Sequence, residues 1–190
     1  MDWHNQLNQH NGWLIVDEAF IDTTPEDSLC TQPASDGLII LRSIGKFFGL
    51  AGIRCGFVIS TDSLLNLLNE HLGPWTISHP GRYIATQALL DISWQKRTQC
   101  QLKEQSNRLA TLLSEYDLKP TGHTDLFHWI KTADAEQIHT AFAQHGILTR
   151  LFVQPASLRF GLPKNKYEWL YLQKTLINLI PRHVSSPLIL

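Results

Sequence analysis

At 190 residues, with 43% hydrophobic and 17% charged side chains, the chain can bury a core and fits one or two small domains. Sixteen Lys and Arg against seventeen Asp and Glu give a formal charge of −1; no basic cluster tracks a phosphate backbone, so nucleic acid is not an expected partner. Apolar runs such as Leu38–Leu41 and Phe57–Ile59 are too short to span a membrane, the N-terminus is polar, and Cys30, Cys55 and Cys100 fit neither a disulfide framework nor a zinc site. A cytoplasmic protein with reduced thiols is expected.

Taken in chain order, Trp13–Val16 is a continuous apolar run ending at Asp17 and Glu18, which predicts a strand buried on both faces of a parallel sheet. A polar stretch from Asp22 to Asp36 predicts a loop with a short helix. Leu38–Leu41 repeats the strand pattern and ends at Arg42 and Ser43, and a third β-type run, Cys55–Ser60, follows the glycine-rich loop Gly45–Gly56. Thr61-Asp62-Ser63 supplies capping chemistry for a helix through His71, stopped by Gly73 and Pro74, with Leu64, Leu65, Leu67 and Leu68 as a core stripe. From Arg82 to about Tyr116 the apolar spacing predicts one long helix. Beyond it come a strand near Leu126–Ile130, a helix from Asp134 to His145, strands near Ile147–Phe152 and Leu158–Leu162, and a final helix from Asn165 to about Ile180. The expected fold class is α/β: a partial large-domain sheet of about three strands over residues 1–74, then a small α+β C-terminal domain over residues 75–190 that includes the long linking helix.

Chemistry concentrates in Ser43-Ile44-Gly45-Lys46-Phe47-Phe48-Gly49-Leu50-Ala51-Gly52-Ile53-Arg54. In open α/β sheets ligands sit beyond the carboxyl ends of the strands, and Asp17 and Lys46 each lie just past such an end. If the first two strands run parallel, both side chains reach one crevice; if the third returns antiparallel, Arg54 comes back beside Lys46. A lysine, a carboxylate, an arginine and a serine are the groups that pyridoxal 5'-phosphate requires: an amine for the aldehyde, an acid for the pyridine nitrogen, and donors for the phosphate.

Val16-Asp17-Glu18-Ala19-Phe20, followed 29 residues after Asp17 by Lys46 with serine three before it and arginine eight after it, resembles the pattern of fold-type I, class I and II aminotransferases. The resemblance covers the second half of such a sequence. It implies Asp17 on the pyridinium nitrogen, Lys46 as the catalytic Schiff-base lysine, Ser43 and Arg54 on the cofactor phosphate, and Arg159, within Leu158-Arg159-Phe160-Gly161-Leu162, on the substrate α-carboxylate. Arg150 either binds a substrate phosphate or forms a structural ion pair. Gly45 and Phe20 depart from the pattern, since many relatives have serine and tyrosine there. These departures, with Gly73-Pro74-Trp75 and Gly146-Ile147-Leu148-Thr149-Arg150, bring the chain closest to the branch of threonine-phosphate decarboxylases of cobalamin synthesis and histidinol-phosphate aminotransferases.

The resemblance implies a lyase of amino-acid phosphates and a homodimer whose second subunit completes the site; the alternatives are a histidinol-phosphate-type aminotransferase or a catalytically inactive truncated protein. No phosphate-binding glycine loop or ring-stacking aromatic precedes Asp17, so a fragment lacking the N-terminal half is expected. Among the remaining polar residues, His123, Asp125 and His128 have strand-like spacing that would put the two histidines on opposite faces, so no metal site is expected. Trp75, Trp94, Trp129 and Trp169 read as core residues, with Trp75 the one that could border a substrate pocket.

Overall fold

The structure, a computed structural model, describes residues 2–180. It divides into two compact units, Met1–Gln99 and Cys100–Leu190. The boundary expected from sequence, at 74/75, lies earlier than this division, which falls within a helix. The difference arises because the helix after Pro74 packs on the first unit, where Ala85 joins Ile44 and Cys55 in a buried cluster. Residues 181–190, part of the second domain read from the sequence, lie outside the described residues.

The first unit holds a helix α1 (Asp2–Asn8) and a three-stranded sheet, β1 (Leu14–Asp17), β2 (Leu38–Ser43) and β3 (Gly56–Ile59), in that order. β1 and β2 are parallel, with Asp17 opposite Leu41; β2 and β3 are antiparallel, with Ser43 opposite Gly56. The expectation of a first strand buried on both faces is corrected: Ile15 is 60% and Trp13 50% exposed. β1 pairs only with β2 among the described residues, so it is an edge strand, and its apolar character is that of a strand whose surface is uncovered here. Between β1 and β2 the chain makes three short 3-10 turns, Ile21–Thr23, Pro25–Asp27 and Leu29–Thr31, where one short helix was expected.

Helix α2 (Asp62–Leu72) ends at Gly73, whose φ of 73° suits a residue without Cβ. Its leucine stripe is less buried than expected: no α2 residue is fully buried, and Leu67 is half exposed. The single long helix expected from Arg82 is two helices, α3 (His79–Leu90) and α4 (Ile92–Ser114). Asp91 separates them. It leaves helical geometry at the end of α3, and its carboxylate then accepts the Trp94 N–H at 2.9 Å, capping the start of α4. Trp75 is corrected as well, since it is largely exposed rather than core.

The second unit contains a four-stranded antiparallel sheet of order β4-β5-β7-β6, formed by β4 (Gly122–Thr124), β5 (Phe127–Lys131), β6 (Arg150–Phe152) and β7 (Ser157–Gly161). Leu109 and Leu113 from α4, Phe142 from α5 (Ala135–Gln144), and Trp169, Leu172 and Leu176 from α6 (Lys166–Leu179) pack on Ile130, Leu158 and Phe160 of its inner face. Asn165 caps α6 by accepting the Tyr167 and Glu168 N–H groups at 3.0 Å.

β4 was not expected, and with it the placement of two histidines changes. Because β4 and β5 form a hairpin turning at Asp125-Leu126, His123 and His128 are directly opposite each other and their rings stack at 5.5 Å, rather than facing apart. His128 is buried. Its Nε2 lies 2.9 Å from the Ser106 carbonyl and 3.1 Å from Ser106 Oγ, while Nδ1 has no partner. Burial therefore holds the His128 imidazole below its ordinary value of 6.5. The unfolded chain takes up a proton there before the folded one does, so stability is fully present above about pH 6.5 and declines as pH falls below it. Replacing His128 by Gln should flatten that decline, as measured by urea unfolding between pH 7 and pH 5; an unchanged slope would show that His128 does not govern it.

Candidate active site

At the carboxyl end of β2 the sheet topology gathers four of the side chains singled out from the sequence. Asp17 ends β1, the neighbouring parallel strand. Ser43 ends β2, Lys46 follows in the loop, and Arg54 stands just before β3, whose first residue pairs with Ser43. The Lys46 Nζ sits 5.7 Å from the centroid of the Phe20 ring, so the loop after β2 meets the segment after β1.

Asp17, Lys46 and Arg54 are all exposed. Asp17 Oδ1 accepts the Ala19 N–H at 3.0 Å, which fixes the carboxylate at the strand end and leaves Oδ2 available. Ser43 Oγ accepts the Gly45 N–H at 3.1 Å, and its own hydroxyl hydrogen remains free to donate outward. The glycine before the lysine has a local cause: a Cβ at Gly45 would come within 3.3 Å of both the Ala51 Cα and Ser43 Oγ. Arg54 is left-handed, with φ 53° and ψ 48°. For a long side chain that conformation costs on the order of 1 kcal/mol or more. The Arg54 Nη1 donates to the Ala51 carbonyl at 3.3 Å, within the turn that precedes β3. The donors and acid present, an amine, an open carboxylate oxygen, a hydroxyl and a guanidinium, fit pyridoxal phosphate in chemistry. Phe20 offers no hydroxyl to a phenolic oxygen.

Behind this rim lies a network that was not anticipated from the sequence. Glu18, only 5% exposed, turns to the opposite side from Asp17, as alternation along a strand requires. It accepts from Ser28 Oγ at 2.6 Å and from the Leu29 N–H at 2.7 Å. Arg42 Nη1 lies 3.6 Å from Glu18 Oε2 and donates to Ser28 Oγ, and its Nη2 donates to Asp22 Oδ1. Asp22 is 7% exposed and its Oδ2 has no partner. Burial pushes the Asp22 carboxyl above its ordinary value, with Arg42 offsetting part of that. The available signal was an arginine directly after the apolar run Leu38–Leu41, where a partly buried guanidinium needs anions.

The second unit brings the other two candidates together. Arg150 and Arg159 are directly opposite each other on β6 and β7, on the face of the sheet away from its core. Each guanidinium lies over an aromatic ring: Arg159 at 4.7 Å from Phe127, Arg150 at 5.5 Å from Phe152. Among the described residues neither forms an ion pair, since both ion pairs present belong to Arg42. Like charges placed opposite each other repel, and an anion between them would relieve that repulsion. Among the described residues the two guanidiniums make this face of the sheet dicationic.

Among the described residues no three His, Cys, Asp or Glu side chains are placed to hold a metal, and no helix is long and apolar enough to cross a membrane.

Residues 2–166 match the family "Aminotransferase class I and II". The chain is 45% identical over 175 residues to a threonine-phosphate decarboxylase of Pseudomonas aeruginosa, covering 92% of this chain and 53% of that protein. It is 36% identical over 118 residues to a histidinol-phosphate aminotransferase of Blochmanniella pennsylvanica, covering 62% and 31%. It superposes with a TM-score of 0.77 and 23% identity on a histidinol-phosphate aminotransferase of Sinorhizobium meliloti in complex with pyridoxal-5'-phosphate, covering 88% of this chain and 49% of that one. That likeness shows the fold, a part of the pyridoxal-phosphate transferase architecture. The chain spans about half the length of the P. aeruginosa relative.

Proposed function

Because the chain belongs to the class I and II aminotransferase family, whose cofactor is pyridoxal 5'-phosphate, we propose that it carries the cofactor lysine and the substrate arginines of a lyase of amino-acid phosphates. The type is threonine-phosphate decarboxylase, converting threonine phosphate to aminopropanol phosphate in cobalamin synthesis, within a homodimer. The observation that carries this reading is the cross-strand pair Arg150 and Arg159, two guanidiniums on one sheet face with no ion-pair partner among the described residues, which suits a substrate with two anionic groups. The 45% identity to a threonine-phosphate decarboxylase supports the same substrate class.

When bound, the cofactor supplies an electron sink for the bond broken at the substrate's α-carbon. The protein's part is to place and charge it. Lys46 is the amine that tethers it, and the Phe20 ring beneath Nζ limits where that amine can go. Asp17, through its open oxygen, holds a proton on the ring nitrogen. Ser43 donates from its hydroxyl to the phosphate, and Arg54 adds a charge-assisted contact. Arg159 takes the substrate carboxylate in a bidentate grip and Arg150 takes the substrate phosphate. A histidinol-phosphate-type aminotransferase would use the same residues, and the 36% identity to such an enzyme keeps it as the second reading.

The cofactor assignment is tested by incubating the chain with pyridoxal phosphate, reducing with borohydride and mapping the labelled peptide. Label is expected on Lys46 in preference to other exposed lysines such as Lys103 and Lys166. Label distributed without preference, or concentrated elsewhere, would overturn it.

A further inference from the structure

Phe20, the ring beneath the Lys46 amine, sits midway between Glu18 and Asp22, and both of those carboxylates converge on one side chain, Arg42. Arg42 immediately precedes Ser43 and comes four residues before Lys46. Other bonds also act on this segment: Asp17 Oδ1 accepts the Ala19 N–H at 3.0 Å and Thr23 Oγ1 donates to the Phe20 carbonyl at 3.4 Å. The Glu18 N–H bonds the Leu41 carbonyl at 2.8 Å, but beyond it the backbone forms only isolated 3-10 turns, with bonds such as Ile21 N–H to Glu18 O and Thr24 N–H to Ile21 O. Such turns are weakly cooperative. The side chain of Gln99, which donates to the Asp22 carbonyl at 2.9 Å, is a further tie.

We infer that Arg42 is a positioning residue for the cofactor lysine: by gripping Glu18 and Asp22 at once it holds the segment after β1 against β2, and so keeps Phe20 under Lys46 and Asp17 at the sheet's mouth. The inference rests on the reading of Lys46 given above. The two grips use different nitrogens of the guanidinium, Nη1 toward Glu18 and Ser28 and Nη2 toward Asp22. A planar fork of donors allows this; a lysine ammonium is a point charge that cannot reach both carboxylates in the same geometry. The network is also short of positive charge, with one guanidinium against two buried carboxylates and Asp22 Oδ2 without a partner. Removing Arg42 would leave the buried Asp22 without its cation and Glu18 with only its bonds from Ser28 Oγ and the Leu29 N–H, a state relieved by the segment turning out to water. The displaced part would then be the 18–22 segment, while β2 keeps its ladder to β3.

The test compares the wild-type chain with Arg42→Met, Arg42→Lys and Asp22→Asn by two measurements. Amide hydrogen exchange is expected to show at least a tenfold loss of protection at Glu18, Ile21 and Thr24 in Arg42→Met, with the β2–β3 amides unchanged. The ratio of borohydride-fixed cofactor on Lys46 to that on Lys103 is expected to fall at least tenfold in the same variant. Arg42→Lys and Asp22→Asn each keep one of the two grips and should give intermediate values in both measurements; they carry the comparison if Arg42→Met does not fold. Unchanged exchange in these variants would overturn the clamp. Lost protection with an unchanged labelling ratio would make Arg42 merely structural and equally overturn the inference. A wild-type chain without preference for Lys46 would instead remove the cofactor-lysine reading, and this inference with it; a failure seen only in the variants leaves that reading standing.

Discussion

Arg159→Ala is expected to lower kcat/KM for an amino-acid phosphate by a factor of about 30 to 1,000, or roughly 2–4 kcal/mol, while cofactor binding stays the same. The measurement uses this chain assembled with the part of the P. aeruginosa relative that it does not match. The size follows from truncating one partner of a desolvated charge pair, and the selectivity from where Arg159 is: on β7 of the second unit, over Phe127, whereas the residues assigned to the cofactor belong to the first unit. An unaltered kcat/KM would make Arg159 structural. Arg150→Ala should cost more with phosphorylated substrates than with unphosphorylated analogues, because its guanidinium is assigned the phosphate. Equal losses would withdraw that assignment, even though its register opposite Arg159 would stand.

Lys46→Ala should have the larger effect. Loss of the tethering amine is expected to reduce turnover in the same assembly by on the order of 10⁴-fold or more, as for removal of other covalent catalysts. The borohydride-fixed link should disappear with it. Stability, read from urea unfolding, should change by about 1 kcal/mol or less, since the side chain is exposed and its one described contact is with the face of Phe20. Retained turnover would show that another amine does the work.

The elements most legible in the sequence were those whose signal is local and strong. The apolar runs before Asp17 and before Arg42 are β1 and β2, and the caps at Asn165 and Gly73 fall where the helices begin and end. The parallel pairing of β1 with β2 and the antiparallel return of β3 decided between arrangements the sequence left open, and with them the gathering of Asp17, Lys46 and Arg54 at one sheet end.

What was missed depends on contacts distant in sequence or on very short elements. β4 has only three residues, too few for alternation to register, and its absence from the sequence reading misplaced His123 relative to His128. Asp91 breaks a helix that periodicity alone would continue, because a side-chain cap competes with the helical pattern without disturbing the apolar spacing around it. The network of Glu18, Asp22 and Arg42 joins residues twenty or more apart. No spacing rule announces it; only the cost of burying an arginine does. The exposure of β1 likewise could not be read from its composition, since an apolar strand looks the same whether or not a neighbour covers it.

The central claim, a lyase of amino-acid phosphates, is tested most directly by its product. The chain is assembled with the complementary part of the P. aeruginosa relative and with pyridoxal phosphate, then given threonine phosphate labelled at the carboxyl carbon, with and without a keto-acid amino acceptor. Labelled carbon dioxide released together with aminopropanol phosphate, independent of the acceptor and slowed in Arg159→Ala by the factor given above, is the predicted result. Amino transfer to the acceptor with the label retained in a keto product would contradict it and assign the site to a transaminase.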